Sequence, residues 1–166
     1  MLIESRKQRL YASHHQFYVE DQEYPGDTGD PNFWTEDAFK DLLAISEGTI
    51  GIGTGTYGSV DVTTEIHDSK PPLDLEVWDH VTEASLMLKS GTLQVIGCLE
   101  ETGETFQVQS GSYCVRCCHA NLDQSDEFGE GSDWYLVQLW PCAIALALAG
   151  QLPPPRVLKR WAGYST

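Results

Sequence analysis

Val60-Asp61-Val62-Thr63-Thr64-Glu65-Ile66 is the stretch whose reading decides the fold. In an extended chain Val60, Val62, Thr64 and Ile66 fall on one side, and Asp61, Thr63 and Glu65 on the other. This is the period-two pattern of a half-buried strand. The same period recurs outward. Ile50 and Ile52 alternate with glycine before it, and Leu73, Leu75 and Val77 alternate with Asp74 and Glu76 after it. Segments 86–88, 93–96, 106–108 and 113–117 follow, separated by Gly91, Gly103 and Gly111. In segment 134–140, Trp134, Leu136 and Trp140 share one face and Tyr135, Val137 and Leu139 the other. A strand apolar on both faces belongs in the middle of a sheet. Upstream, 11–19 reads as a first strand with Phe17 and Val19 on one face.

Thr35 reads as the N-cap of a short helix over 36–45. Glu36 and Asp37 suit the positive end of its dipole, and Phe39, Leu42 and Leu43 give it an apolar face. The expected fold is therefore mainly β: an antiparallel β-sandwich of about eight strands with one short helix. A single domain is expected over 10–150, followed over 151–166 by a Pro-rich linker and a basic C-terminal tail. Pro153-Pro154-Pro155 is a stiff spacer. The tail beyond it either docks on the acidic body of its own chain or stays mobile.

Charge is the second strong signal. The chain has 166 residues and a net charge of −15, but residues 10–150 alone carry 24 of the 25 acids against four bases, a net of −20. The other six bases are Arg6, Lys7, Arg9, Arg156, Lys159 and Arg160. Two loop-like stretches concentrate the acids without a base among them. One holds Glu20, Asp21, Glu23, Asp27, Asp30, Glu36 and Asp37. The other holds Asp123, Asp126, Glu127, Glu130 and Asp133. Such a field draws cationic partners in and repels nucleic acid and anionic membranes. These are either solvated loops or a surface that covers a basic patch on another protein. No apolar h-region follows the first bases, and the apolar run 143–149 is too short to span a bilayer. A soluble, cytoplasmic protein is expected. Five cysteines without an export signal point to free thiols in a reducing compartment.

Cys114, Cys117, Cys118 and His119 look like metal ligands at first. On a strand they divide between two faces, and no second ligand pair accompanies them, so reduced, metal-free thiols are expected. His14 and His15 are adjacent, so one should point in and one out. Acid–base work by either would need a pocket and a partner group. Residues 51–55 are glycine-rich, but no helix pattern follows, and a hairpin bend accounts for them better than a phosphate loop. The acidic loops lack EF-hand spacing. No catalytic residue, metal or cofactor is expected. Trp34, Trp78 and Trp161 could stack on sugars, which keeps a carbohydrate or small-ligand binding sandwich as the alternative.

Ser13-His14-His15-Gln16-Phe17-Tyr18-Val19 resembles the opening strand of the competence protein J family, inhibitors that pair with a DNA-entry nuclease. Trp34-Thr35-Glu36-Asp37-Ala38 resembles that family's next motif. Ala44 and Gly48-Thr49-Ile50 resemble the segment where its helix gives way to a strand. Segments 73–77, 91–95 and 106–113 are similar to its later strands, and 134–137 more loosely to its closing one. The sharp part of the likeness is His15, Gln16 and Phe17 together with Trp34 and Thr35. Cys114, Cys117 and Cys118, the acidic loop over 123–133 and the chain after Pro141 depart from the family. The resemblance implies a small β-rich inhibitor or immunity protein that binds a nuclease and performs no chemistry itself. Combined with the charge, it makes Asp123, Asp126, Glu127, Glu130, Asp133, Asp27 and Asp30 the expected contact residues for a basic partner.

Overall fold

The computed structural model describes residues 1–126, 131–143 and 148–164. Among these, eleven strands follow in the order β1 (Leu2–Ala12), β2 (Gln16–Asp21), β3 (Leu43–Ser46), β4 (Thr49–Gly53), β5 (Gly58–His67), β6 (His80–Leu88), β7 (Thr92–Gly97), β8 (Glu104–Gln107), β9 (Gly111–Ala120), β10 (Trp134–Pro141) and β11 (Arg156–Lys159). The helix α1 (Glu36–Asp41) lies between β2 and β3. The strands form two sheets. The larger has the order β1-β5-β10-β9-β6-β11 and the smaller β3-β4-β2-β7-β8. Every pairing is antiparallel except that of β10 with β5. The mainly β, two-sheet architecture with one short helix is as expected.

The period-two pattern of β5 is realised residue by residue. Val60, Val62, Thr64 and Ile66 are buried, while Asp61, Thr63 and Glu65 are half-buried on the outer face. From β10, Tyr135, Val137 and Leu139 enter the same core, and this strand is flanked on both sides by β5 and β9. Phe17, Val19, Ile50, Ile52, Leu93 and Val95 meet them from the smaller sheet. The Phe17 and Tyr135 rings touch edge to face at 5.7 Å across the interior. A second cluster of Tyr18, Phe33, Ala38, Ala44 and Ile96 covers the outer face of the smaller sheet.

Several expectations are corrected. The single strand expected over 11–19 is two. The chain turns at Ser13–His15, where His14 and His15 both hold left-handed φ values of 57° and 60°, and crosses from the larger sheet to the smaller. Neither histidine is therefore on a strand. β1 begins at Leu2, because its register with β5 runs on from Ala12↔Gly58 to Leu2↔His67. The alternating segment 73–77 is not a strand. Asp74 accepts from the Glu76 N–H and starts a tight turn, and Val77 is left 64% exposed. The helix stops at Asp41 because Leu42 takes a left-handed φ of 56° and sends its N–H back to Ala38 O. Leu42 and Leu43 still reach the core, but Phe39 is exposed. The residue 51–55 glycines do not make a simple bend. A Cβ at Gly51 would lie 2.9 Å from both Phe33 and Trp34, and one at Gly53 would lie 2.8 Å from Leu42, so bare backbone here lets those side chains close on β4.

The tail docks. β11 pairs with β6 at the edge of the larger sheet, with Arg156 opposite Glu83. Glu83 is buried and ion-paired at 2.8 Å with both Arg156 and Arg116. Arg116 is itself fully buried, donates to Pro71 O and Gln138 Oε1, and lies over the Trp140 ring at 4.9 Å. Burial alone would raise the Glu83 carboxyl, but the two guanidinium bonds outweigh it and hold the group below its ordinary value.

Candidate functional site

The turn at Ser13–His15, the entry to α1 and the end of the tail converge on one cleft of about 470 Å³. Trp34, Phe39, Leu42 and Trp161 form its walls, and Gly53, Thr54 and Gly55 its floor. His14, His15, Gln16 and Ser125 complete the rim. Trp34 is fixed by an Nε1–H bond of 2.6 Å to Gln16 Oε1, which also accepts the Tyr18 hydroxyl at 2.7 Å. The indole stacks on Phe39 with ring centres 5.2 Å apart and planes 27° from parallel. Thr35 accepts the Ala38 N–H at 3.1 Å and so sets where α1 starts. The two sharp motifs thus meet here: His15, Gln16 and Trp34 line the cleft, Thr35 caps the helix beside it, and Phe17 lies beneath in the core.

Trp161 and Leu42 were invisible to strand periodicity. Trp161 arrives because the bases before it are bonded to the body. Arg160 meets Asp41 at 2.6 Å and Lys40 O at 2.7 Å, Lys159 bonds Leu75 O, and the Trp161 N–H donates to His80 Nδ1 at 3.2 Å. Among the described residues, three of the four non-glycine residues with positive φ, His14, His15 and Leu42, line the cleft. The fourth, Asn121, opens the turn that leads to Ser125. Such conformations persist only where surrounding bonds hold them, and they gather at functional sites. Here Thr54 N–H donates to His15 O at 2.8 Å, and Gly53 N–H donates to Leu42 O at 3.0 Å.

The imidazoles behave differently from one another. His15 Nδ1 is 3.2 Å from Gly55 O, so that nitrogen carries the proton. His14 Nδ1 is 3.0 Å from Ser13 Oγ. Beneath the floor, His119 donates from Nε2 to Gly53 O and His80 from Nε2 to Asp41 O. Burial pushes both of these well-packed imidazoles below the ordinary histidine value.

The expected contact acids separate into three groups. Asp27, Asp30, Asp123 and Asp126 are exposed. Asp27 and Asp30 lie on the approach to Trp34 and accept the Gly29 and Asn32 N–H groups, while Asp123 and Asp126 lie to either side of Ser125. Asp133 is corrected: it is 2% exposed and turned inward, accepting bonds from Thr56 N–H, Thr56 Oγ1 and the Tyr135 hydroxyl. It holds the loop in place and presents no charge to a partner. Glu127 and Glu130 lie outside the described residues. In the first acidic stretch, Asp21 is likewise internal, accepting from Ser90 and from the Glu23 and Tyr24 N–H groups.

The terminal bases meet the chain's own groups. Arg6 pairs with Glu4 and Glu104 and lies 3.9 Å over the Phe106 ring, and Lys7 and Arg9 share Asp61. All five cysteines are free thiols. Cys117 and Cys118 are buried on opposite faces of β9, and the Cys114 and Cys142 sulfurs are 2.7 Å apart. Among the described residues no group of three His, Cys, Asp or Glu side chains is placed to hold a metal, and no helix is long and apolar enough to cross a membrane.

No family model matches the chain, and no curated protein matches its sequence. Two solved structures share the fold. One is described as ComJ, inhibitor of the DNA degrading activity of NucA, from Bacillus subtilis. It is 17% identical, with a TM-score of 0.67 over 86% of this chain and 99% of that one. The other is described as crocagin biosynthetic gene J. It is 20% identical, with a TM-score of 0.53 over 84% of this chain and 98% of that one. The fold is ComJ-like.

Proposed function

We propose that this protein is a cytoplasmic nuclease inhibitor of the immunity type, whose acidic surface binds a basic partner and covers the groove with which that partner holds nucleic acid. The observation that carries this reading is the charge. Residues 10–150 hold a net of −20, while the terminal bases that could offset it elsewhere are bonded within the chain. A nuclease presents a basic groove to its phosphate backbone substrate, so an acidic body of this size is steered to it and competes there. The fold neighbour described as an inhibitor of NucA supports the same reading. The inhibitor supplies no chemistry, and its contact residues are Asp27, Asp30, Asp123 and Asp126, with Glu127 and Glu130 joining them.

The test is stopped-flow association with nucleases from the native host at low and high salt. Association should slow steeply with salt, and the combined Asp27→Asn, Asp30→Asn, Asp123→Asn and Asp126→Asn variant should associate about tenfold more slowly with a flatter salt slope. An unchanged on-rate removes these residues from the interface, and failure of every basic nuclease to bind at low salt removes the inhibitor reading. One observation favours a second reading. The aromatic walls of the cleft could take a sugar ring, which glycan-array binding lost on Trp34→Ala would support.

A further inference from the structure

We propose that the cleft receives the side chain of an arginine projecting from the basic partner. This rests on the reading above that the partner is basic. Three features of the cleft suit a guanidinium in particular. Its walls are aromatic faces: Trp34 and Phe39 stacked together, with Trp161 added by the tail. A planar, weakly hydrated cation stacks on such faces, whereas a compact ammonium keeps its water. His15 donates from Nδ1 to Gly55 O, and in that tautomer Nε2 is the ring's acceptor at the rim.

The charge around the cleft has the matching sign. Among the described residues neither a base nor a carboxylate lines it, and the acids stand next to its lining residues in the chain. Glu36 and Asp37 lie in sequence between the two stacked wall residues, and Asp123 and Asp126 flank Ser125. Lys40 is held by Glu36 at 3.7 Å, and Arg160 by Asp41. Arg160 shows that this end of the fold already accommodates a guanidinium between a carboxylate and a backbone carbonyl. The left-handed conformations of His14, His15 and Leu42 keep the cleft shaped before any partner arrives.

The experiment uses the whole chain and three probes: N-acetyl-arginine amide, N-acetyl-lysine amide and the neutral, planar N-acetyl-citrulline amide. The indole N–H resonances of Trp34 and Trp161 report occupancy. Arginine amide should shift both, lysine and citrulline much less, and Phe39→Ala should weaken arginine binding roughly tenfold. Phe39 is 59% exposed, so its removal leaves the core intact. An equal response to lysine, or no response to arginine at millimolar concentration, overturns the proposal. Against a cognate nuclease, Phe39→Ala should speed dissociation about tenfold while association is unchanged. A nuclease blocked equally well by the variant sinks the cleft and leaves the inhibitor reading standing. If no nuclease binds at all, that reading fails, and the capped amino acids still decide what the cleft takes.

Discussion

Two aspartates from the same acidic loop have opposite fates, and the difference lies in what each side chain meets. Asp123 is exposed, whereas Asp133 accepts three bonds in the interior. Removing a buried carboxylate orphans its donors. Asp133→Ala should cost about 2–4 kcal/mol in urea unfolding, against within about 0.5 kcal/mol for Asp123→Ala. Nothing in the sequence separates these two residues. Each stands beside one large apolar residue, Leu122 or Trp134, and the decisive partner of Asp133, Thr56, comes from the distant connection between β4 and β5. The buried acids also divide by sign. Burial raises Glu20, so its ionisation opposes folding at neutral pH, whereas at Asp21 burial is outweighed by the bonds from Ser90, Glu23 and Tyr24 together, which hold it low.

At the scale of elements, β5 and β10 were legible because alternation and a two-faced apolar run translate directly into half-buried and central strands. The segment 73–77 alternates just as well and is not a strand. Period two states what a strand would bury, not whether a neighbour exists to pair with it, and the preceding Pro71-Pro72 and the Asp74 turn break the path. The docking of β11 was legible only as an alternative, since it depends on Glu83 facing the edge of β6. It brings a pH response. Burial depresses His80 most strongly, with Arg160 acting in the same direction and the bond to Asp41 O opposing them; burial likewise depresses His119. A folded value below the unfolded one means the stabilisation is complete above about pH 6.5 and is lost as pH falls through the folded values. Urea midpoints should therefore drop between pH 7 and pH 5, and His80→Gln should flatten part of the drop. Because His80 Nδ1 accepts the Trp161 N–H, protonation should also loosen the tail, visible as faster hydrogen exchange at residues 156–161.

For the whole molecule, charge was legible in kind but not in distribution. Counting acids gives a net sign. Only the fold shows that the terminal bases are engaged with the body and that Trp34 and Ser125, one from each acidic stretch, line the same aromatic cleft. The cleft itself escaped the sequence because its lining comes from five separated stretches, of which only two carried recognisable motifs. A chain ended after residue 150 would lose β11, the second guanidinium on Glu83 and the Trp161 wall. Thermal unfolding of that truncation should retain a cooperative transition at lower temperature, with binding to a basic partner reduced more than fold stability alone explains. This ordering reaches back to the ribosome. Residues 13–16 are made well before Trp161, so a polypeptide interrupted between them has most of a sandwich but an unfinished cleft. Only chains that extend through Trp161 carry the whole cleft.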